Sequence, residues 1–471
     1  MDSADQTSRD NTTTFFQLNN SLRQLLRRLE VDRAVLFGIL ARIWQICAAP
    51  VTAILIATRF TPEVQGYYYT FASLLALQVF VQLGLGRVVI QFASHEWSKL
   101  SINKSGQIVG DKDALSRLVS LAGIASRWYI AGSIIVIFGL GLGGHYFFSI
   151  KPDLAANINW TLPWLALCLF TGLTICLVPV WSLLEGCNQV SNVYMYRFIE
   201  GVAKSIPIWL AILVGAELWT PVISSLAGII CAIIFLHQRY WEFLKTLLLS
   251  RAVGPQIKWR AEMLPMQWRI AVSWLSGYFV FSMFTPVLFQ YHGAVVAGQM
   301  GMTWSLITVL SSISSAWVSP RAPYFGMLIA QNKYEQLDKL FWRLVIIVTT
   351  VASLGALSIW SLVFILYKVQ FSLITRILPP LPTGLFLLAT VIMLTSVPFS
   401  IYLHAHKKAP LMYVSLSCGI LVCISNLTLG KHFGVNGMAA GYLVINILVV
   451  PFIFLIWYRC RAKWHKLFHK L

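Results

Sequence analysis

The hydrophobic pattern of the chain is a succession of long apolar runs separated by short polar segments. Runs of roughly 20 residues, the length that crosses a bilayer as a helix, fall at 34–58, 67–93, 128–149, 160–184, 190–214, 218–238, 266–290, 294–318, 343–367, 380–404, 411–430 and 434–458. They do not alternate as barrel strands do. In lipid the backbone must satisfy its own polar groups, so each run predicts a helix. The pattern predicts an all-α polytopic membrane protein of about 12 transmembrane helices. Segment 1–33 is polar, with no secretory signal pattern. It contains LNNSLRQLLRRLEVDR, which reads as a basic amphipathic helix on the inner leaflet or as a solvated helix before the first span.

Two echoes divide the pattern in half. RFTPEVQGYYYTFASLL (59–75) and GAVVAGQMGMTWSLI (293–307) superpose with Gly66 on Gly298 and Ser73-Leu74 on Ser305-Leu306. VPVWSLLEG (178–186) and VPFSIYLHA (397–405) superpose with Val178-Pro179 on Val397-Pro398. Six spans is an even number, so both halves enter from the same side. The expectation is two six-helix bundles, 34–238 and 266–458, related by pseudo-two-fold symmetry about the membrane normal and facing a central path. A cytoplasmic linker at 239–265 joins them, and 459–471 forms a basic cytoplasmic tail. The prolines at 179 and 398 act as hinges or as packing kinks.

Composition agrees with the pattern. The 471 residues are 58% hydrophobic and 11% charged, where a soluble domain carries about 25% charge. The net charge is +19. With the N-terminus placed inside, most Lys and Arg fall in cytoplasmic segments, so both termini are expected in the cytoplasm of a cell inner membrane. The charge is divided among short loops, which argues against nucleic acid as a partner and for contact with membrane lipids. The eight cysteines form no CxxC pair and read as small buried hydrophobes. His145, His292, His404 and His406 stand at span ends and read as interfacial, so neither a metal nor a cofactor is expected.

Charges inside the runs are the candidate chemistry. Arg42 lies in the first, Arg87 in the second, Arg197, Glu200 and Lys204 in the fifth; Arg269 starts the seventh and Arg321 follows the eighth. A basic residue near a helix centre costs roughly 2.5–3.5 kcal/mol to insert, so these residues must snorkel, pair or face a wet cavity. Glu200, three residues after Arg197 and four before Lys204, shares their helix face. One carboxylate cannot neutralise the group, and the surplus is positive. Two readings stand: a structural set of snorkelling and paired charges, or a substrate-binding set for an anionic diphosphate, to which arginine's planar fork is suited.

The bridge and helix TPEVQGYYYTFASLLALQVFVQLGLGRVVIQFA, with Glu63, Gly66, Gly84, Leu85, Gly86 and Arg87, resembles the polysaccharide branch of the multidrug/oligosaccharidyl-lipid/polysaccharide (MOP) flippase superfamily, the O-antigen flippase-like branch, as does GVNGMAAGYLVINIL (434–448). The second bridge departs from the pattern, since AVVA precedes Gly298 without an acidic residue. The resemblance implies a flippase for polyprenyl-diphosphate-linked oligosaccharides in polysaccharide biosynthesis and export, working beside glycan assembly enzymes. An ion-coupled multidrug antiporter of the same superfamily is the second reading; such proteins usually carry a carboxylate in the early spans, where this chain has none. A membrane-embedded glycan polymerase or ligase is the third, disfavoured by short outer loops without nucleotide, metal or triad motifs. A transporter and not an enzyme is therefore expected.

Overall fold

The computed structural model describes residues 33–103, 105–150, 158–250, 252–406 and 410–468. The expected amphipathic helix within 1–33 lies outside these residues, as does the end of the basic tail. Helix α1 is Arg33–Arg59 and α2 is Pro62–Leu75. Thr61 caps α2 by accepting from the Val64 amide at 3.3 Å, Pro62 opens its first turn, and Glu63 sits beside the free amides there. A short α3 (Val79–Gln82) leads to a break at Leu83 and Gly84, and α4 (Leu85–Trp97) continues at 45°. Next come α5 (Lys112–Ile135) and α6 (Gly141–Ser149), joined through a π turn, then α7 (Thr161–Gly186), α8 (Val190–Leu213) and α9 (Thr220–Leu249).

The second half repeats this order. Helices α10 (Leu264–Phe281) and α11 (Phe284–His292) form one bent crossing, α12 (Ala294–Ser315) is followed by α13 (Ala322–Ala330), and α14 is Tyr334–Lys368. Helices α15 (Pro380–Thr395) and α16 (Val397–Ala405) are separated by a break at Ser396, and α17 (Met412–Phe468) is interrupted at Gly434, with φ 59 and ψ −142. Among the described residues eight helices are long and apolar enough to cross a membrane, and two bent pairs bring the number to ten. The interruption at Gly434 divides α17 in two. Helix α8, 24 residues long, carries Arg197, Glu200 and Lys204 and is not among the ten.

Three apolar clusters fix the arrangement. One is shared by both halves and packs Tyr67, Phe71, Phe148 and Trp164 against Phe284, Phe289, Phe386 and Tyr442. The other two have private cores: Leu85, Leu118, Leu183 and Phe243 in the first half, with Met266 and Ile270 of α10 against its rim, and Val318, Phe341, Tyr402 and Trp457 in the second. The halves thus share a core at one end and, apart from the contact of α10 with the first half, pack separately at the other.

The echoed glycines sit in the fused end. Gly66 of α2 lies directly on Gly298 and Ala294 of α12, so close that a Cβ on Gly66 would collide with the Ala294 backbone. The two bridges are therefore on the same face and on the axis between the halves. Buried Gln65 adds a latch, donating at 2.9 Å to both the Gly298 and the Arg376 carbonyls. Burial holds the Arg376 guanidinium below its ordinary range, opposed by Glu63.

Two segments between apolar runs, one of them the expected linker at 239–265, are ordered. Residues 95–127 contain an antiparallel hairpin, Leu100–Ile102 with Ile108–Gly110, and α5 begins at Lys112, capped by Asp111 at 2.8 Å. Residues 239–265 start as a helical extension of α9 and then bond to α5, from the Gly254 amide to Ser116 Oγ at 2.8 Å. Arg117 ties this region together by bridging Glu96 and Glu262, each at 2.8 Å.

Candidate functional site

Between the two private clusters lies a cleft of about 1320 Å³, walled by α3, α4, α5, α7 and α8 on one side and by α10, α15, α16 and α17 on the other. It occupies the ends of these helices remote from the glycine contact. Leu83 and Gly84 both have left-handed backbones, φ 44 and φ 67. Leucine tolerates that conformation poorly, and such strain persists where the surroundings enforce it. Gly84 is held against Ile270 of α10, and the break it makes turns α4 so that Arg87 projects into the cleft. Gly86 lets Ser182 and the Tyr129 hydroxyl approach the backbone beside it.

Three of the seven residues singled out in the sequence line this cleft: Arg87, Arg197 and Arg269. Among the described residues Arg87 has no carboxylate partner, and Arg269 stacks over Trp268 at 5.8 Å. Arg197 donates to Glu185 at the end of α7, Nη2 to Oε2 at 2.7 Å, and lies over the Tyr194 ring at 4.8 Å.

The other four lie elsewhere. Arg42 is on the exposed face of α1, beside exposed Ile39 and Ile43. Arg321 is exposed on a short turn after α12. Glu200 pairs with Lys204 at 2.5 Å, and the Lys204 chain lies over Gly228 of α9. The expected sharing of Glu200 by Arg197 and Lys204 does not occur. Arg197 reaches back to Glu185, which the tight turn between α7 and α8 brings alongside.

Two cleft groups were not singled out by sequence. Glu185 stands next to last in the first copy of the second echo and was given no role. His404 looked interfacial, yet it lines the cleft, with Nδ1 3.3 Å from Ser400 Oγ. The signal that finds both is the second echo, in which Glu185 and His404 occupy equivalent positions. Apart from Arg269 and His404, the wall from the second half is neutral and hydroxyl-rich, with Ser273, Ser396, Ser400, Ser415 and Trp274. No group of three or more metal-ligating side chains occurs among the described residues.

No protein-family model matches the sequence, and no curated protein does. Solved structures do. A lipid II flippase MurJ in an inward closed conformation aligns with a TM-score of 0.64 at 14% identity, over 89% of this chain and 87% of that one. An inward-facing multidrug resistance MATE family transporter of the MOP superfamily aligns with a TM-score of 0.59 at 13% identity, over 89% and 96%. The MATE multidrug transporter DinF-BH aligns with a TM-score of 0.59 at 14% identity, over 91% and 95%. The chain has the fold of the MOP-superfamily transporters, and it is a multi-pass membrane protein.

Proposed function

We propose that the protein flips a polyprenyl-diphosphate-linked oligosaccharide across the cytoplasmic membrane, from the inner to the outer leaflet, for polysaccharide biosynthesis or export. In this reading both termini are cytoplasmic and the cleft opens to the inside. The carrying observation is the charge of the cleft: among the described residues that line it, three arginines, Arg87, Arg197 and Arg269, stand against one carboxylate, Glu185. Positive charge at membrane depth is costly unless water or an anion offsets it. A diphosphate offers the oxygens that guanidinium forks bind in pairs.

The rest of the cleft fits the rest of that cargo. Its volume of about 1320 Å³ exceeds the roughly 300–1,000 Å³ of drug-sized sites. The serine wall and Trp274 supply donors, acceptors and a stacking face for a neutral glycan, while the prenyl tail stays in lipid. A small organic cation, the cargo class of the antiporter reading, would meet repulsion. The structural neighbours are transporters, which supports a non-enzymatic role.

Reconstitution tests the reading. Proteoliposomes containing the wild type should move a fluorescent polyprenyl-diphosphate disaccharide between leaflets, and Arg87→Ala, Arg197→Ala and Arg269→Ala should each slow the transfer. Transfer of a cationic dye instead, or alanine variants as fast as the wild type, would remove the diphosphate from the mechanism.

A further inference from the structure

The second echo carries more than a proline. With Val178-Pro179 on Val397-Pro398, Leu184 falls on Leu403 and Glu185 on His404. Both titratable residues line the cleft, one from each half. At the other end the equivalent residues of the first echo, Gly66 and Gly298, are in direct contact. Equivalent residues on the facing walls of two repeated halves approach each other when the end they occupy shuts. The glycines occupy the shut end; Glu185 and His404 occupy the open one.

We infer that Glu185 and His404 form the closing contact of the cleft mouth, and that Glu185 exchanges Arg197 for His404 as the mouth shuts. The inference rests on the transport reading above. In the open state Glu185 is held by Arg197, whose side chain is 46% exposed and within reach of cargo. An anionic headgroup competes for that guanidinium. A carboxylate that loses its partner in a narrowing cleft becomes an uncompensated buried charge, which is strongly destabilising. Closure delivers a partner for it. An imidazole donates to a carboxylate in its neutral or its protonated form, and Ser400 beside His404 Nδ1 orients the ring. Glu185 thus disfavours closure over an empty cleft, because Arg197 retains it until an anion arrives.

A zinc bridge tests the contact without reference to cargo. Glu185→His places two imidazoles at the equivalent positions, and zinc binds imidazole nitrogens at about 2.0–2.1 Å, so one ion joins them only if the mouth closes. Zinc should raise the melting temperature of E185H in nanodiscs, reversibly on chelation, and leave E185H/H404A unmoved. Equal responses in the two variants would overturn the inference. In zinc-free buffer, E185H and H404E should each slow lipid-diphosphate transfer by about tenfold, and the swapped pair E185H/H404E should recover most of the loss. A swap no better than its singles would refute the pairing. If zinc locks E185H while the wild type moves no lipid diphosphate, the contact stands and the cargo assignment falls.

Discussion

At the scale of single residues, the question for each intramembrane charge is what offsets the cost of its burial. Lys204 has Glu200 on its own helix, and Arg197 has Glu185 from the preceding helix. Arg42 is exposed on α1 nine residues after Arg33, about 13 Å along the axis, where a long side chain snorkels to the interface. Arg87 has no carboxylate partner among the described residues, and it faces the cleft. The two arginines are therefore expected to separate in assay. Arg87→Ala should reduce transfer by an order of magnitude or more, Arg87→Lys should restore part of it because charge survives without the fork, and Arg42→Ala should cost less than Arg87→Ala. Initial rates in proteoliposomes, normalised to inserted protein, check this. Equal losses at the two positions would contradict the assignment.

At the scale of elements, the breaks in the helices matter more than their lengths. The second crossing is broken at Leu83-Gly84, the tenth at Ser396, and α17 at Gly434. Proline explains the tenth: Pro398 lacks the amide that would have bonded back across the break. Pro179, its equivalent, leaves α7 continuous, so the two prolines are not a matched pair of hinges. Gly84 is the most constrained of the breaks, with φ 67 and Ile270 against its α-carbon. Gly84→Ala imposes roughly 1–2 kcal/mol of left-handed strain and about 1–3 kcal/mol of overpacking against Ile270. The expected result is a lowered melting temperature and slower transfer. G84A/I270A should recover the packing part and not the backbone part. Thermal unfolding in nanodiscs reads both, and full recovery by the double variant would show that the backbone conformation is not the constraint.

At the scale of the molecule, one shared core and two private cores make a V-shaped body whose closed end is the seam of Gly66 and Gly298. Any side chain on Gly66 must push the Ala294 backbone away. Gly66→Ala should therefore open that end. A thiol reagent added on the side of the glycine end should label Thr303→Cys, whose parent residue is 2% exposed in the seam, in the G66A variant and not in the parent. Gly143→Ala, with nothing within 4 Å of its added Cβ, should leave labelling unchanged. If G66A leaves Thr303→Cys unreactive, the seam is not what seals that end.

The order of residues alone settled the solvent, the helical class, the crossings and the repeat. Each follows from composition and from the period of apolar residues, which bilayer thickness and backbone hydrogen bonding convert into structure without further information. It also picked out Arg87 as a charge inside an apolar run, and that residue lines the cleft. It could not apportion the other charges. Arg42, Arg197 and Lys204 look alike along the chain, and only the packing of α1, α7, α8 and α9 sends one to Glu185, one to Glu200 and one to the exposed face of α1. The second echo aligns Glu185 with His404, but along the chain they are more than two hundred residues apart and nothing there says that they share a site. The fold alone brings them to one cleft, and only there does their equivalence in the repeat acquire a chemical meaning.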